Sequence, residues 1–546
     1  MTAVAHAPSA RALPGRRGGL AGTGTLLRLA LRRDRVMMPV WVLAQTAVVA
    51  GTGSSLEKLY DTAAKRADVA QSMTTSSSLR GLYGPVFQDT MGGLIAWRSL
   101  GFGTVLAALM SLIIVVRHTR EEEDTGRQEL LSSAVVGRRA PLTAALLAAA
   151  VANALLALLV AATASGYGAS AAGSLALGLT LGAVGMAFAG VAAVAAQLTE
   201  GARPAKGLAG AVLGLAFVLR TAGDVVSDDG SSPFGWASPL GWAENVRPAA
   251  DERWWILLLL VALTAATTAT AFALAGRRDL GAGFLPSRPG PPAGRIGGTY
   301  SLALRLQRGS LLGWAAGFAV AGLVFGAITD GAAELVDDNE QTRAIIDRMG
   351  GHQGLADSSL AAMTGILGMV AALFAVGSVL RLRSEETAGR AEPVLATAAG
   401  RLRWAGSHLA VAFLGTVVVL FACGVAMGVG YGATAGGLGD ELPRVLGASL
   451  AQVPAVWLAA GCAMLLFGAL PRATPVAWGV AGAWLGIGWL GPSVELPQWA
   501  MNLSPFSHLP KLPGAQAHAA PFLWLTLLAA ALAGAGLLAF RRRDIG

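Results

Sequence analysis

Charged residues make up only 13% of this 546-residue chain, about half of what a soluble domain carries. So little charge cannot keep a folded chain of this length in water, and the shortage points to lipid as the solvent. There are two cysteines, Cys423 and Cys462, both inside apolar stretches; this excludes a disulfide framework or a thiolate metal site. The six histidines are scattered at positions 6, 118, 352, 408, 508 and 518, with no HExxH or carboxylate–histidine spacing. An enzyme reading therefore finds no catalytic cluster and no metal site. The four lysines (58, 65, 206 and 511) all lie outside any G-x-x-x-x-G-K-[ST] phosphate loop. ATP hydrolysis by that route is excluded, and an ATP-driven activity would need a motor on another polypeptide. The formal charge of +9 is read as arginine held on the cytoplasmic side of a membrane rather than as a nucleic-acid footprint.

What is present is apolar. Hydrophobic residues reach 54%, glycine numbers 72 and mean hydropathy is +0.58. Small residues let transmembrane helices approach closely where no hydrophobic effect drives them together. A spanning helix needs about 20 apolar residues to cross about 30 Å of hydrocarbon, and twelve stretches qualify. In the first half they are Val36–Gly53, Gly93–Val116, Pro141–Tyr167, Ala171–Leu198, Pro204–Val226 and Trp254–Ala275. In the second they are Ser310–Thr329, Ser359–Leu382, Trp404–Tyr431, Val445–Gly468, Thr474–Leu490 and Pro521–Phe540. No cleavable signal is evident, because the basic first 35 residues run into a span long enough to stay as an anchor. With the N-terminus inside, inner segments hold 29 of the 41 Lys and Arg, and loop 330–358 on the outside holds seven acids against two Arg. Both termini are therefore expected in the cytoplasm.

The sequence repeats itself. Leu31-Arg32, Arg35 and Trp41 match Leu304-Arg305, Arg308 and Trp314 at one offset. Arg120-x-Glu122-Glu123-x-x-Gly126-Arg127-x-Glu129 matches Arg383-x-Glu385-Glu386-x-x-Gly389-Arg390-x-Glu392, and the match runs without a gap to Gly137-Arg138 and Gly400-Arg401. Ser238-Pro239 corresponds to Ser504-Pro505, and Arg277-Arg278-Asp279-Leu280-Gly281 to Arg542-Arg543-Asp544-Ile545-Gly546. Six is even, so both halves enter and leave on one side, as a parallel repeat with its axis along the membrane normal. The expected fold is an all-α polytopic membrane protein of about 12 transmembrane helices in two parallel six-helix repeats. Residues 1–281 form the first half, 282–298 a Pro/Gly-rich cytoplasmic linker, and 299–546 the second half.

The duplicated loop lies between the second and third span of each half, on the side expected to be cytoplasmic. Its first copy, Arg120 to Arg138, is long enough for a short helix, with Gly126 free to break or cap it. Carboxylates at 122, 123 and 129 among arginines at 120 and 127 offer a charge-complementary surface to a soluble partner; the plainer alternative is a solvated loop. Two gap-free copies favour docking.

On these residues the chain resembles the ABC-2-type transporter permeases. The R-x-E-E-x-x-G-R-x-E loop is similar to their coupling-helix region, and Leu26–Arg35 and Leu302–Arg308 resemble the elbow helices before the first span of each half. The doubled layout, Ser238-Pro239-Leu240-Gly241-Trp242 and the closing Arg-Arg-Asp motifs most resemble the polyketide-antibiotic exporter branch, which includes tetronasin-type permeases. The resemblance implies a bacterial cytoplasmic-membrane permease that exports hydrophobic or amphipathic compounds. It also implies two copies of an ABC ATP-binding subunit, which would bring ATP and Mg while this chain holds no cofactor. The twelve loop residues Arg120, Glu122, Glu123, Gly126, Arg127, Glu129, Arg383, Glu385, Glu386, Gly389, Arg390 and Glu392 would then be the dock. The copies differ where Pro393 replaces Leu130 and Ser384 replaces Glu121.

Three charges fall inside spans away from their cytoplasmic ends. Arg98 lies near the outer end of the second, and Arg220 and Asp224 lie one turn apart near the outer end of the fifth. A buried charge is a functional candidate because burying it is costly; snorkelling for Arg98 and a structural pair for the other two are the plain readings. Segments Ser238–Arg253 and Ser504–Pro513 resemble extracellular re-entrant elements, or form an interfacial belt that in the first half uses Trp236, Trp242, Trp254 and Trp255. The rival function is an ion-coupled secondary drug exporter of the six-plus-six major facilitator type. It would need a titratable group near the midplane, where the spans carry almost no acid. A membrane-bound transferase is disfavoured, because one active site needs only one copy of the Glu-rich loop.

Overall fold

The computed structural model describes residues 19–75, 80, 81, 83–132, 136–285, 297–334, 351–490 and 496–544. It is all-helical; among the described residues the one sheet-like pairing is an isolated parallel bridge between Thr199 and Leu285. Two compact units form, Met1–Pro289 and Gly290–Gly546.

In the first unit the helices are α1 (Thr23–Arg33), α2 (Met37–Leu59), α3 (Ala63–Thr75), α4 (Met91–Arg117), α5 (Arg120–Asp124), α6 (Arg127–Ser132), α7 (Ala140–Gly166), α8 (Ala171–Leu198), α9 (Ala202–Val226), α10 (Pro233–Trp236), α11 (Pro239–Asn245) and α12 (Trp255–Ala275). Local chemistry sets several starts: Thr90 and Ser170 cap α4 and α8 by accepting from Gly93 N and Gly173 N, and Pro141 sits in the first turn of α7, where a missing N–H costs nothing. Helix α8 is central and packs on α4, α7, α9 and α12. Asn153 of α7 donates 2.8 Å hydrogen bonds to Ser111 Oγ and to Ala149 O. Such bonds hold helices together where lipid supplies no hydrophobic drive.

In the second unit the α-helices are α13 (Thr299–Glu334), α14 (Gly351–Thr387), α15 (Ala391–Leu395), α16 (Arg401–Ala435), α17 (Leu438–Leu450), α18 (Val453–Ala469), α19 (Val476–Leu490), α20 (Gln498–Met501) and α21 (Ala519–Arg542). Helix α13 lies along α16, and α18 along α21. Glycines set the first of these contacts. A Cβ on Gly322 would stand 2.4 Å from Cys423 O, one on Gly326 2.1 Å from Met427 O, and one on Gly430 2.4 Å from Leu323 O. This is backbone-on-backbone approach through a G-x-x-x-G spacing.

Ten described helices are long and apolar enough to cross a membrane, or eleven if α1 and α2, bent by 64° to each other, are one span. The expected twelve are thus not all reached. Thr474–Leu490 is a helix of only 15 residues, about 22 Å long at 1.5 Å per residue. Val445–Gly468 is longer than expected, running as Leu438–Ala469 with a turn at 451–452. The elbow expected at Leu26–Arg35 is a separate bent helix. Its counterpart Leu302–Arg308 is instead the unbroken first turns of the 36-residue α13. No short turn such as Asp34–Val36 interrupts the chain there. The acidic loop 330–358, expected on the outside, falls largely in residues 335–350, outside the described residues, as do 286–296 of the linker.

If the glycine seam holds α13 on α16, Gly326→Val should destabilise the protein by about 1–3 kcal/mol through overpacking. A fall of several degrees in the melting temperature of the detergent-solubilised protein is the expected readout. An unchanged value would mean that the helices do not meet there.

Candidate functional site: the repeated loop and a buried charge cluster

The first loop breaks into α5 and α6 at Gly126, whose φ of +71° is the left-handed region that glycine enters freely. In the second unit α14 runs through to Thr387, Gly389 turns the chain at φ +68°, and α15 follows. The sequence expectation of a glycine-broken loop agrees with both.

The charges, however, mostly face inward. Arg120 is fully buried. It donates to Ala196 O at 2.8 Å and Ala282 O at 2.7 Å, and pairs with Glu123 at 2.6 Å. Glu123 is gripped from the far end of the unit as well, by Arg278 just past α12, at 2.5 Å. Glu122 pairs with Arg33 of α1 and with Arg127 at 3.4 Å. The second unit repeats this set. Glu386 pairs with Arg383 at 3.1 Å and with Arg543 at the end of α21. Glu385 pairs with Arg381 at 2.5 Å and Arg390 at 2.8 Å; accepting from Arg390 raises that guanidinium's pKa. Arg138 donates to Arg278 O, and Arg401 to Arg543 O, both at 2.8 Å. In each unit, then, the loop after the second span is fastened to the end of the last helix by an Arg–Glu–Arg clamp. A charged surface open to a partner is left mainly to the exposed Arg127, Glu129, Arg390 and Glu392.

A second fastening holds the chain ahead of the first span. Asp34, fully buried, meets His118 Nε2 at 2.6 Å and Arg117 at 3.4 Å. In the second unit Gln307 takes its place, with His408 Nδ1 at 3.0 Å and the Ser378 hydroxyl as partners. No sequence spacing marks either histidine, because their partners are 84 and 101 residues away.

The intramembrane pair exists and has a third member. Arg220 Nε lies 2.8 Å from Asp224 and 2.6 Å from Glu244 Oε1, and all three are buried. Glu244, on α11, escaped sequence reading because no helical spacing links it to α9. Ser238 positions it: its hydroxyl donates to Ala216 O at 2.6 Å and accepts from Leu240 N, seating α11 on α9. Arg80 donates to Asp224 O at 2.7 Å. Arg98 is apart from this cluster, exposed, with its guanidinium 4.3 Å over the Tyr83 ring, a cation–π contact suited to a charge at a membrane edge. Trp236 and Trp255 stack at 5.9 Å. Among the described residues no His/Cys/Asp/Glu group could hold a metal ion.

Apolar helices of spanning length, with charge gathered in clamps at their ends and in one buried, paired cluster, define a multi-pass membrane protein. Comparison with known proteins gives the family. The model described as the C-terminal domain of the multidrug efflux system permease Rv1217c matches residues 24–275 and 296–541. The multidrug efflux system permease protein Rv1217c of Mycobacterium tuberculosis (strain ATCC 25618 / H37Rv) is 45% identical over 547 residues, covering 98% of each chain. The chain belongs to this permease family.

Removing Arg220 would leave two buried carboxylates facing one another, a change that costs about 3–5 kcal/mol when one partner of a buried pair is lost. Arg220→Ala should therefore collapse the monodisperse peak in detergent. Adding Asp224→Asn and Glu244→Gln should recover most of it, and a triple variant as poor as the single one would contradict the cluster.

Proposed function

We propose that this chain is the membrane-spanning subunit of an ATP-driven exporter of hydrophobic or amphipathic compounds, of the ABC-2 permease type. It has six plus six spans, with both termini in the cytoplasm of a bacterial cell. The single observation that carries the reading is the duplicated, clamped loop. Each copy ties the end of the second span to the end of the last, so a push on the loop is a push on two spanning helices at once. A sequence without a phosphate loop needs such a place to receive work done elsewhere. That one family model matches both 24–275 and 296–541 supports the six-plus-six layout. The printed name of the Mycobacterium tuberculosis relative supports efflux of drug-like cargo. Arg127, Glu129, Arg390 and Glu392 are the loop residues that an ATP-binding subunit would touch, and the clamp residues Arg120, Glu122, Glu123, Arg383, Glu385 and Glu386 would carry the push inward. Polyketide antibiotics of the tetronasin kind remain the cargo class that the motifs resemble.

The ion-coupled alternative has one observation in its favour, the buried Asp224 and Glu244 sharing Arg220. One experiment separates the two. The tagged chain is purified in mild detergent, and inverted vesicles are assayed for dye uptake driven by ATP or by a pH gradient. The expected result is a co-purified protein with a phosphate loop, and uptake that needs ATP and is lost in a Glu123→Arg/Glu386→Arg variant. Uptake driven by the gradient alone, with no ATP-binding protein recovered, would overturn the proposal.

A further inference from the structure

The repeated motif ahead of each first span takes no part in the clamps. Arg32 and Arg35 match Arg305 and Arg308 at one offset, and all four are exposed, as is Arg28 one turn earlier on α1. Their neighbours turn inward instead: Arg33 grips Glu122, and Asp34 meets His118 and Arg117. In the second unit Gln307 meets His408 and the Ser378 hydroxyl. No described acid pairs with Arg28, Arg32, Arg35, Arg305 or Arg308. The stretches that precede them in sequence, 1–18 and 286–296, hold five arginines and no acid. Five exposed guanidinium groups therefore stand where neither these stretches nor any described residue offers them a counter-charge.

Apolar side chains interleave them. On α13, Tyr300, Leu304, Arg308 and Leu312 follow one another at every fourth residue, and all are exposed. That spacing puts them on one helix face, so Arg308 is set within an apolar stripe. On α1, the exposed Leu29 lies one turn before Arg32, and the exposed Val36 follows Arg35. The other side of α1 is taken up by packing, with Ala30 buried and Leu27 and Leu31 against the core of the first unit. Helix α1 also bends 64° away from α2. A soluble acidic partner would leave the interleaved apolar groups without a role. A membrane surface accounts for both, since apolar side chains enter the acyl boundary while cations stay at headgroup depth.

We propose that Arg28, Arg32 and Arg35 in the first half, and Arg305 and Arg308 in the second, each form a binding site for the phosphate of an anionic phospholipid. Arginines three or four residues apart can share one phosphodiester through charge-assisted N–H donors. A zwitterionic headgroup brings its own cation, which such a set repels. The inference does not depend on what drives transport.

The test uses the full chain in nanodiscs of phosphatidylcholine. These contain a small fraction of either phosphatidylglycerol or phosphatidylcholine carrying a photoactivatable group beside the phosphate. Labelled peptides are mapped by mass spectrometry. In the unsubstituted chain the phosphatidylglycerol label is expected to concentrate in residues 28–36 and 300–312, well above the phosphatidylcholine label, and to persist in excess inorganic phosphate. Each arginine near an anionic surface is worth about fivefold in binding, so losing two should cut the label roughly tenfold or more. Arg32→Gln/Arg35→Gln should do this in 28–36, and Arg305→Gln/Arg308→Gln in 300–312, whereas the corresponding lysine pairs should keep the label. Equal labelling by the two lipids, or labelling confined to other segments, would overturn the proposal. So would glutamine variants that keep the label, or displacement by inorganic phosphate, which would mark a site for the free anion. Because the unsubstituted chain decides the first two outcomes, a variant that fails to insert leaves the test intact.

Discussion

A glutamate held between two arginines, one beside it on the loop and one at the far end of the last helix, is the contact on which the rest of each half depends. Glu123 joins Arg120 to Arg278, and Glu386 joins Arg383 to Arg543. These side chains are partly or wholly withdrawn from water. Charge pairs of this kind contribute little net stability compared with an apolar replacement but are costly to break. What they fix is geometry: they decide which helix ends move together. Around them the apolar helices are free to pack by shape, through glycine seams such as Gly322–Gly326 on α16 and polar bonds such as Asn153–Ser111.

The apolar spans and the glycine-broken loops were legible in the sequence because each is a local pattern. Hydrophobic length marks α4, α7, α8 and α9, and Gly126 and Gly389 mark their turns by spacing alone. The direction in which the loop charges face was not legible. Glu122 and Glu123 read as surface carboxylates because their partners Arg33 and Arg278 lie 89 and 155 residues away. The same holds for Glu244, whose hydrogen bond to Arg220 crosses from one helix to another. Helix length failed at Thr474–Leu490, a stretch of 17 residues already under the ~20 that a crossing needs, of which α19 takes up Val476–Leu490.

The halves also depart from one another in chemically specific ways. Asp34 meets His118 and Arg117 at the end of α4 in the first, whereas its counterpart Gln307 meets His408 on α16 and Ser378 in the second. Glu122 draws Arg33 from the helix ahead of the span, whereas Glu385 draws Arg381 from its own helix. The Arg220–Asp224–Glu244 cluster belongs to the first half. The two units share their clamps and differ in what surrounds them.

The central claim is that the clamp, and not mere loop charge, couples the loop to the last helix. A charge swap measures this most directly: Glu386→Arg and Arg543→Glu are made singly and together, and dye efflux is read in cells expressing each variant. If the clamp carries the coupling, each single change abolishes efflux and the pair restores a substantial part of it. A double variant no better than either single one, or single variants that keep full efflux, would contradict the account.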